Sequence, residues 1–193
     1  MQRFTDDFER REYLGREALK ELQLQHTNLF KYQLHFNNDK YGEYDAYYII
    51  IDENQQITKR VWIEIKIRDE DYDEYILETK KLNSLIKKRK SLYLLENEVK
   101  FLYINFTPTK TIIWNVTDID TEGKTLKANK ATSDSRTNKI NKQVIYLEPS
   151  TGRVLNYIIN EQHLLTKYDT NYLLPKVKAE IKKRPGLEDI LFM

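Results

Sequence analysis

The run from Tyr44 to Asp69, YDAYYIIIDENQQITKRVWIEIKIRD, leaves the chain few ways to fold. Two segments rich in β-branched and aromatic residues flank the polar DENQQ, the composition of a strand, a turn and a second strand. Side chains alternate across a strand, so Trp62, Glu64 and Lys66 share one face while Ile63, Ile65 and Ile67 share the other. On the first strand Glu43, Asp45 and Tyr47 share a face that Ile49 and Ile51 continue. The isoleucines of the second strand predict its buried side. A carboxylate set among apolar strand residues is costly unless something pairs with it, which singles out Asp45 and Glu64.

Two carboxylates on neighbouring strands, with an ammonium two residues beyond one of them, compose an oxygen-ligand set suited to Mg²⁺. An ion there would polarise a phosphate and activate a water that Lys66 helps to hold and deprotonate. Spacing by itself is weak support. Five Glu-x-Lys triplets occur, beginning at Glu64, Glu78, Glu98, Glu122 and Glu180, as a Lys- and Glu-rich chain produces by chance. Only the first sits centrally in an apolar strand with an acidic strand just before it, and its bland alternative is a solvent-facing charge pair on an edge strand.

A helix bearing glutamates, a strand with Asp45, a strand with Glu64-Ile65-Lys66, then a helix and two more strands: in this order the chain resembles the PD-(D/E)XK nuclease superfamily over about residues 5–148. Tyr44 stands where the Pro of the family's name would be. A finer likeness is to small stand-alone nuclease-fold proteins of bacteriophage genomes, through IIWNV and KATSDSRTNKINKQVIYLEP. The resemblance implies an α/β, restriction-endonuclease-like core, a central mixed β-sheet flanked by helices in the order α-β-β-β-α-β-β. It implies a nuclease-like domain over residues 1–148; residues 149–193 fall outside it and are expected to form a helical C-terminal extension. It further implies Mg²⁺- or Mn²⁺-dependent hydrolysis of DNA, with Asp45, Glu64 and the carbonyl of Ile65 holding the metal and Lys66 orienting the water. Glu17 on the first helix is the expected helper, and Lys81 a phosphate contact.

Composition narrows the alternatives. At 193 residues, 32% charged and 40% hydrophobic, the chain is long enough to bury a core and too rich in Tyr, Ile and Leu for disorder. With no cysteine, disulfides, thiol nucleophiles and zinc ribbons are excluded. Five glycines, none in a G-x-G or G-K-[ST] setting, argue against a nucleotide-driven motor, and His26, His35 and His163 lack any metal-binding spacing. No window approaches the ~20 apolar residues of a membrane helix, and no apolar leader opens the chain. The expected location is therefore the cytoplasm of a bacterial host cell, or the virion for a phage structural component. Residues 1–70 hold 11 Lys and Arg against 14 Asp and Glu in a chain of net charge +2, so basic residues are in excess downstream. An acidic site beside a basic flank suits a polyanionic substrate.

Along the chain, residues 4–24 read as an amphipathic helix capped by Thr5 or Asp6, and 33–36 as a first strand. Residues 74–93 read as a helix, 99–106 and 109–116 as a strand pair, and 144–147 as a strand. Between 124 and 142, six basic residues face one acid among Thr, Ser and Asn. This predicts either a polar loop or an arm gripping a phosphate backbone through Lys130, Arg136, Lys139 and Lys142. Residues 153–165 carry a helix-like apolar stripe, and a basic helix with an apolar tip ends the chain. That segment is the expected docking surface for a phage or host protein, or for a second copy of the chain. It also sustains a rival reading, a catalytically silent nuclease-fold protein serving as a virion or assembly component or as a structural binder of nucleic acid. A DNA-processing toxin or defence effector would share the nuclease chemistry.

Overall fold

The computed structural model describes residues 4–26, 34–37, 42, 44–51, 53–54, 57–91, 99–119, 123–129 and 139–183. Helix α1 (Asp7–Gln25) begins where Asp6 accepts the Glu9 N–H at 2.7 Å and Glu9 accepts the Thr5 N–H at 2.7 Å. This reciprocal cap fixes the first turn. Strands β1 (His35–Phe36), β2 (Ala46–Ile51) and β3 (Ile57–Ile67) follow. β2 and β3 pair antiparallel, Ala46 opposite Ile63 and Tyr47 opposite Trp62, as the hairpin reading requires. β3 then runs parallel to β5 (Val99–Phe106), with Glu64 beside Tyr103 and Lys66 beside Asn105. A parallel neighbour demands a crossover, here β4 (Tyr75–Glu78) and α2 (Thr79–Ser91). β6 (Thr111–Asn115) returns antiparallel on β5.

Three segments depart from the sequence reading. The helix expected from residue 74 starts at Thr79, because Tyr75 to Glu78 pair with β8 (Lys139–Leu147) as β4. In β4, Tyr75 and Leu77 are buried and Ile76 and Glu78 half-buried, a period of two that tertiary pairing imposes. The basic stretch is, in its described parts, a hairpin stem rather than a loop: β7 (Lys124–Asn129) pairs antiparallel with β8, making a second sheet in the order β4-β8-β7. Residues 130–138 lie outside the described residues. Finally, the apolar stripe of 153–165 is split between strand β9 (Arg153–Leu155), which adds to β6, and helix α3 (Glu161–Tyr168). A π-helical turn, Asp169–Leu173, leads on to α4 (Leu174–Lys183), while the apolar tip after 183 lies outside the described residues.

The main sheet, ordered β1-β2-β3-β5-β6-β9, is buried on both faces. On one, Ile63, Ile65 and Ile104 pack with Leu14, Ala18, Leu19 and Leu22 of α1 and Leu164 of α3. On the other, Trp62, Phe101, Tyr103 and Trp114 pack with Tyr75 and Leu77 of β4, Leu82 and Leu85 of α2 and Ile145 of β8. The expectation of a single buried isoleucine face is thus too simple, since a parallel strand pair at the middle of a sheet is covered on both sides. Residues 149–193, read as an extension, begin inside this body. Leu155, Tyr157 and Leu164 belong to the first cluster, Thr111 donates to the Tyr157 carbonyl at 2.7 Å, and the chain can pass over Trp114 because Gly152 has no Cβ, which would stand 2.8 Å from the indole nitrogen. The chain is a mixed α/β protein with a central mixed sheet flanked by helices, and it carries one strand more before its second helix than the expected order α-β-β-β-α-β-β.

Candidate functional site

Asp45 precedes β2, and its N–H donates to the Ile63 carbonyl at 2.9 Å. That bond extends the ladder by one position, so Asp45 stands across from Glu64, on the face that also carries Tyr47, Trp62 and Lys66. Its carboxylate is anchored by the main chain of the neighbouring strand, Oδ2 accepting the Ile65 N–H at 2.6 Å. Glu64 is 5% exposed and its two oxygens differ. Oε1 takes both Lys66 Nζ at 2.7 Å and Lys81 Nζ, from the first turn of α2, at 2.5 Å. Oε2 is buried with no hydrogen-bond partner among the described residues.

These groups line one cavity of about 390 Å³. Its wall on one side is α1, through Phe8, Arg11, Glu12, Gly15 and Arg16. Its floor is Asp45 and Glu64 to Asp69, and its far wall is the second sheet, with Glu78, Leu126 and Lys142. Gly15 permits the close approach of α1, since a Cβ there would meet Ile65 Cγ2 at 3.0 Å.

The electrostatics separate the two acids. Burial, and then the charge of Glu64, push the Asp45 carboxyl up to about 6, against the opposing pull of Lys66, Lys81 and the Ile65 N–H. Burial would push Glu64 up as well, but Lys66 and Lys81 outweigh it and hold the carboxyl below its usual range. For Lys66, burial pulls downward and is overcome by Glu64 and Asp45, so its ammonium is held above its usual range. Lys66 is therefore a fixed cation at neutral pH. It can hold a water or an anionic oxygen in the cleft.

Of the other residues singled out from sequence, Ile65, Lys81 and Lys142 line the cavity, and Lys142 pairs with Glu78 at 2.7 Å. Lys130 and Arg136 lie outside the described residues, as does the side chain of Lys139, whose backbone forms the start of β8. Glu17 is placed apart from them: it does not line the cavity and pairs with Lys20 at 2.5 Å and Lys167 of α3 at 2.9 Å. Burial pushes its carboxyl up, but the bonds to those lysines prevail and hold it low. Residues 8, 11, 12, 15 and 16 share one helical face, so the α1 glutamate in the cavity is Glu12, paired with Arg16 at 2.5 Å. Arg68 and Tyr103, also in the lining, were missed; Arg68 continues the period of two beyond Lys66.

Among the described residues no group of three or more His, Cys, Asp or Glu side chains could hold a metal ion. The candidate donors are two carboxylates, which suit a hard cation that completes its shell with water, backbone and substrate oxygens. The unpartnered Oε2 of Glu64 fits that need, and Asp45 Oδ1 likewise makes no hydrogen bond among the described residues.

Among models of protein families none matches the chain. None of the curated proteins matches it either. Among solved structures, that of Hjc, a Holliday junction resolvase from the archaeal hyperthermophile Archaeoglobus fulgidus, is similar over 72% of this chain and 89% of its own, at 14% identity and a TM-score of 0.39.

Proposed function

We propose that the protein is a metal-dependent nuclease that hydrolyses DNA phosphodiester bonds, with Asp45 and Glu64 as carboxylate ligands of Mg²⁺ or Mn²⁺ and the Ile65 carbonyl as a further ligand. The observation that carries the reading is the juxtaposition, across neighbouring strands, of two acids, each with one oxygen that has no partner among the described residues, beside two ammonium groups in a cleft. A bound divalent ion would supply Lewis acidity toward a phosphate oxygen and a lowered pKa for a coordinated water.

The chain's own groups do the rest. The Ile65 N–H fixes the Asp45 carboxylate, and Lys81 holds Glu64 in place by a second bond to Oε1. Lys66, kept protonated, donates to the attacking water or to a non-bridging phosphate oxygen, stabilising the negative charge that grows there. The cavity walls keep these groups in a setting where each charge acts more strongly than in bulk water. In the metal-free protein Asp45 takes up its proton as pH drops through about 6, so metal binding, and with it cleavage at limiting metal, should weaken there.

The test is cleavage of supercoiled, linear, branched and single-stranded DNA in Mg²⁺ or Mn²⁺. Wild-type protein should cut at least one of these, and Asp45→Asn and Lys66→Met should each slow it by roughly 10²-fold or more. A folded wild-type protein inert on all four would refute the enzymatic reading.

A further inference from the structure

Among the described residues six cations line the cavity, and five of them pair with a carboxylate, Lys66 and Lys81 sharing one. Arg11 bonds Asp69 and Asp7, Arg16 bonds Glu12, Lys66 and Lys81 bond Glu64, and Lys142 bonds Glu78. The sixth is Arg68, which makes no salt bridge among the described residues. Its partners are neutral: Nε donates to Asn105 Oδ1 at 2.7 Å and Nη2 to Tyr103 Oη at 2.8 Å.

Both partners are committed to holding it. The Tyr103 hydroxyl spends its only proton on the Ile76 carbonyl, at 2.8 Å, so it can only accept from Arg68. Tyr103 is 1% exposed and Asn105 0%, which fixes the two acceptors in the core. Asn105 leaves its own Nδ2 buried and unpaired while its oxygen faces Arg68, a local cost of the kind that accumulates at functional sites. The backbone is pinned as well, Arg68 N–H donating to the Phe106 carbonyl at 2.8 Å. A guanidinium has five N–H bonds; two are used here, leaving one on Nη2 and both on Nη1. Those remaining donors form the end-on fork that matches two oxygens of a phosphate.

Alternation along β3 sets Arg68 on the face of Glu64 and Lys66, about 7 Å beyond Lys66 by strand rise. That separation is of the order of the distance between consecutive phosphates in one nucleic-acid strand. We propose that Arg68 is a substrate-binding residue that grips the DNA phosphate next to the one at Glu64 and Lys66, and so sets the register of the strand in the cleft. The role in the cleavage register rests on the nuclease reading; the anion site does not.

The experiment is binding of a fluorescein-labelled DNA duplex and single strand to full-length protein in EDTA, over a salt series, with cleavage kinetics in Mg²⁺ run in parallel. Arg68→Gln should weaken binding about equally for unrelated sequences and reduce the slope of log K against log salt by about 0.9, the signature of one lost phosphate contact. Arg68→Lys should keep the slope and still bind more weakly, because an ammonium cannot reach the phosphate while replacing the fork. In cleavage, Arg68→Gln should raise KM more than it lowers kcat. If Arg68→Gln lowers thermal stability but leaves the salt slope and KM at wild-type values, Arg68 is structural and the proposal is overturned, with the nuclease reading untouched. If wild-type protein cuts nothing yet the slope falls, the anion site stands and the nuclease reading fails. Wild-type protein that binds neither probe overturns the proposal outright.

Discussion

Asp45 and Glu64 are chemically near-identical acids that their surroundings set apart. Glu64 has two ammonium partners; Asp45 has one backbone N–H, a buried setting and a like charge opposite. A carboxyl raised to about 6 binds its proton more tightly in the folded state than unfolded. Stability must then fall as pH rises from about 4 through about 6, and the loss persists above that. Asp45→Asn keeps an acceptor for the Ile65 N–H and removes the charge. It should therefore raise the unfolding free energy by about 1–3 kcal/mol at pH 8, since each pH interval of one between the folded and unfolded titration points is worth about 1.4 kcal/mol, and the gain should vanish below about pH 4. Urea denaturation at the two pH values measures this, and a variant no more stable than wild type at pH 8 would contradict it. Asp45, Glu64 and Lys66 were legible in the sequence because strand alternation is rigid enough to assign faces without a partner. Glu12 was not, since four glutamates dot α1 and only the docking of the helix on Ile65 decides which one looks into the cleft.

The docking of α1 on β3 turns on Gly15, whose missing side chain admits Ile65. Gly15→Val would push the helix off the strand that carries Glu64 and Lys66. The expected loss is about 1–3 kcal/mol of stability, the range for overpacking, together with weaker metal binding. Thermal unfolding and calorimetry check the two halves, and unchanged values in both would mean the contact is slack. The hairpin of β2 and β3 and the strand pair of β5 and β6 were readable from their composition and turns. β4 was not, because YILE sits directly before a helical run, and only its pairing with β8 makes it extended. The β7 and β8 stem was hidden for a similar reason: Lys, Thr and Asn in alternation look like loop until a partner strand is known.

Residues 153–164 are built into the same body as the cleft, through β9 and through Tyr157 and Leu164 in the core shared with α1. Tyr157 also donates to Glu21 at 3.1 Å, and Arg10 on α1 bonds Glu161 on α3. Leu164→Ala should cost about 2–5 kcal/mol, as for a fully buried leucine. A chain ended at residue 150 should show no cooperative unfolding transition by circular dichroism, and a sharp transition in it would contradict this account. The sequence pattern hid the connection because a three-residue strand and an eight-residue helix are too short for periodicity to declare. The fold thus carries an acidic pair, its lysines and an arginine with no salt bridge among the described residues into one cleft, and everything proposed for it turns on whether the pair acts as one. Titration of Mn²⁺ into the full-length protein at pH 8 by calorimetry tests that directly. Wild-type protein should bind the ion, while Asp45→Asn and Glu64→Gln, each folded, should both lose binding; equal heats from all three would contradict it.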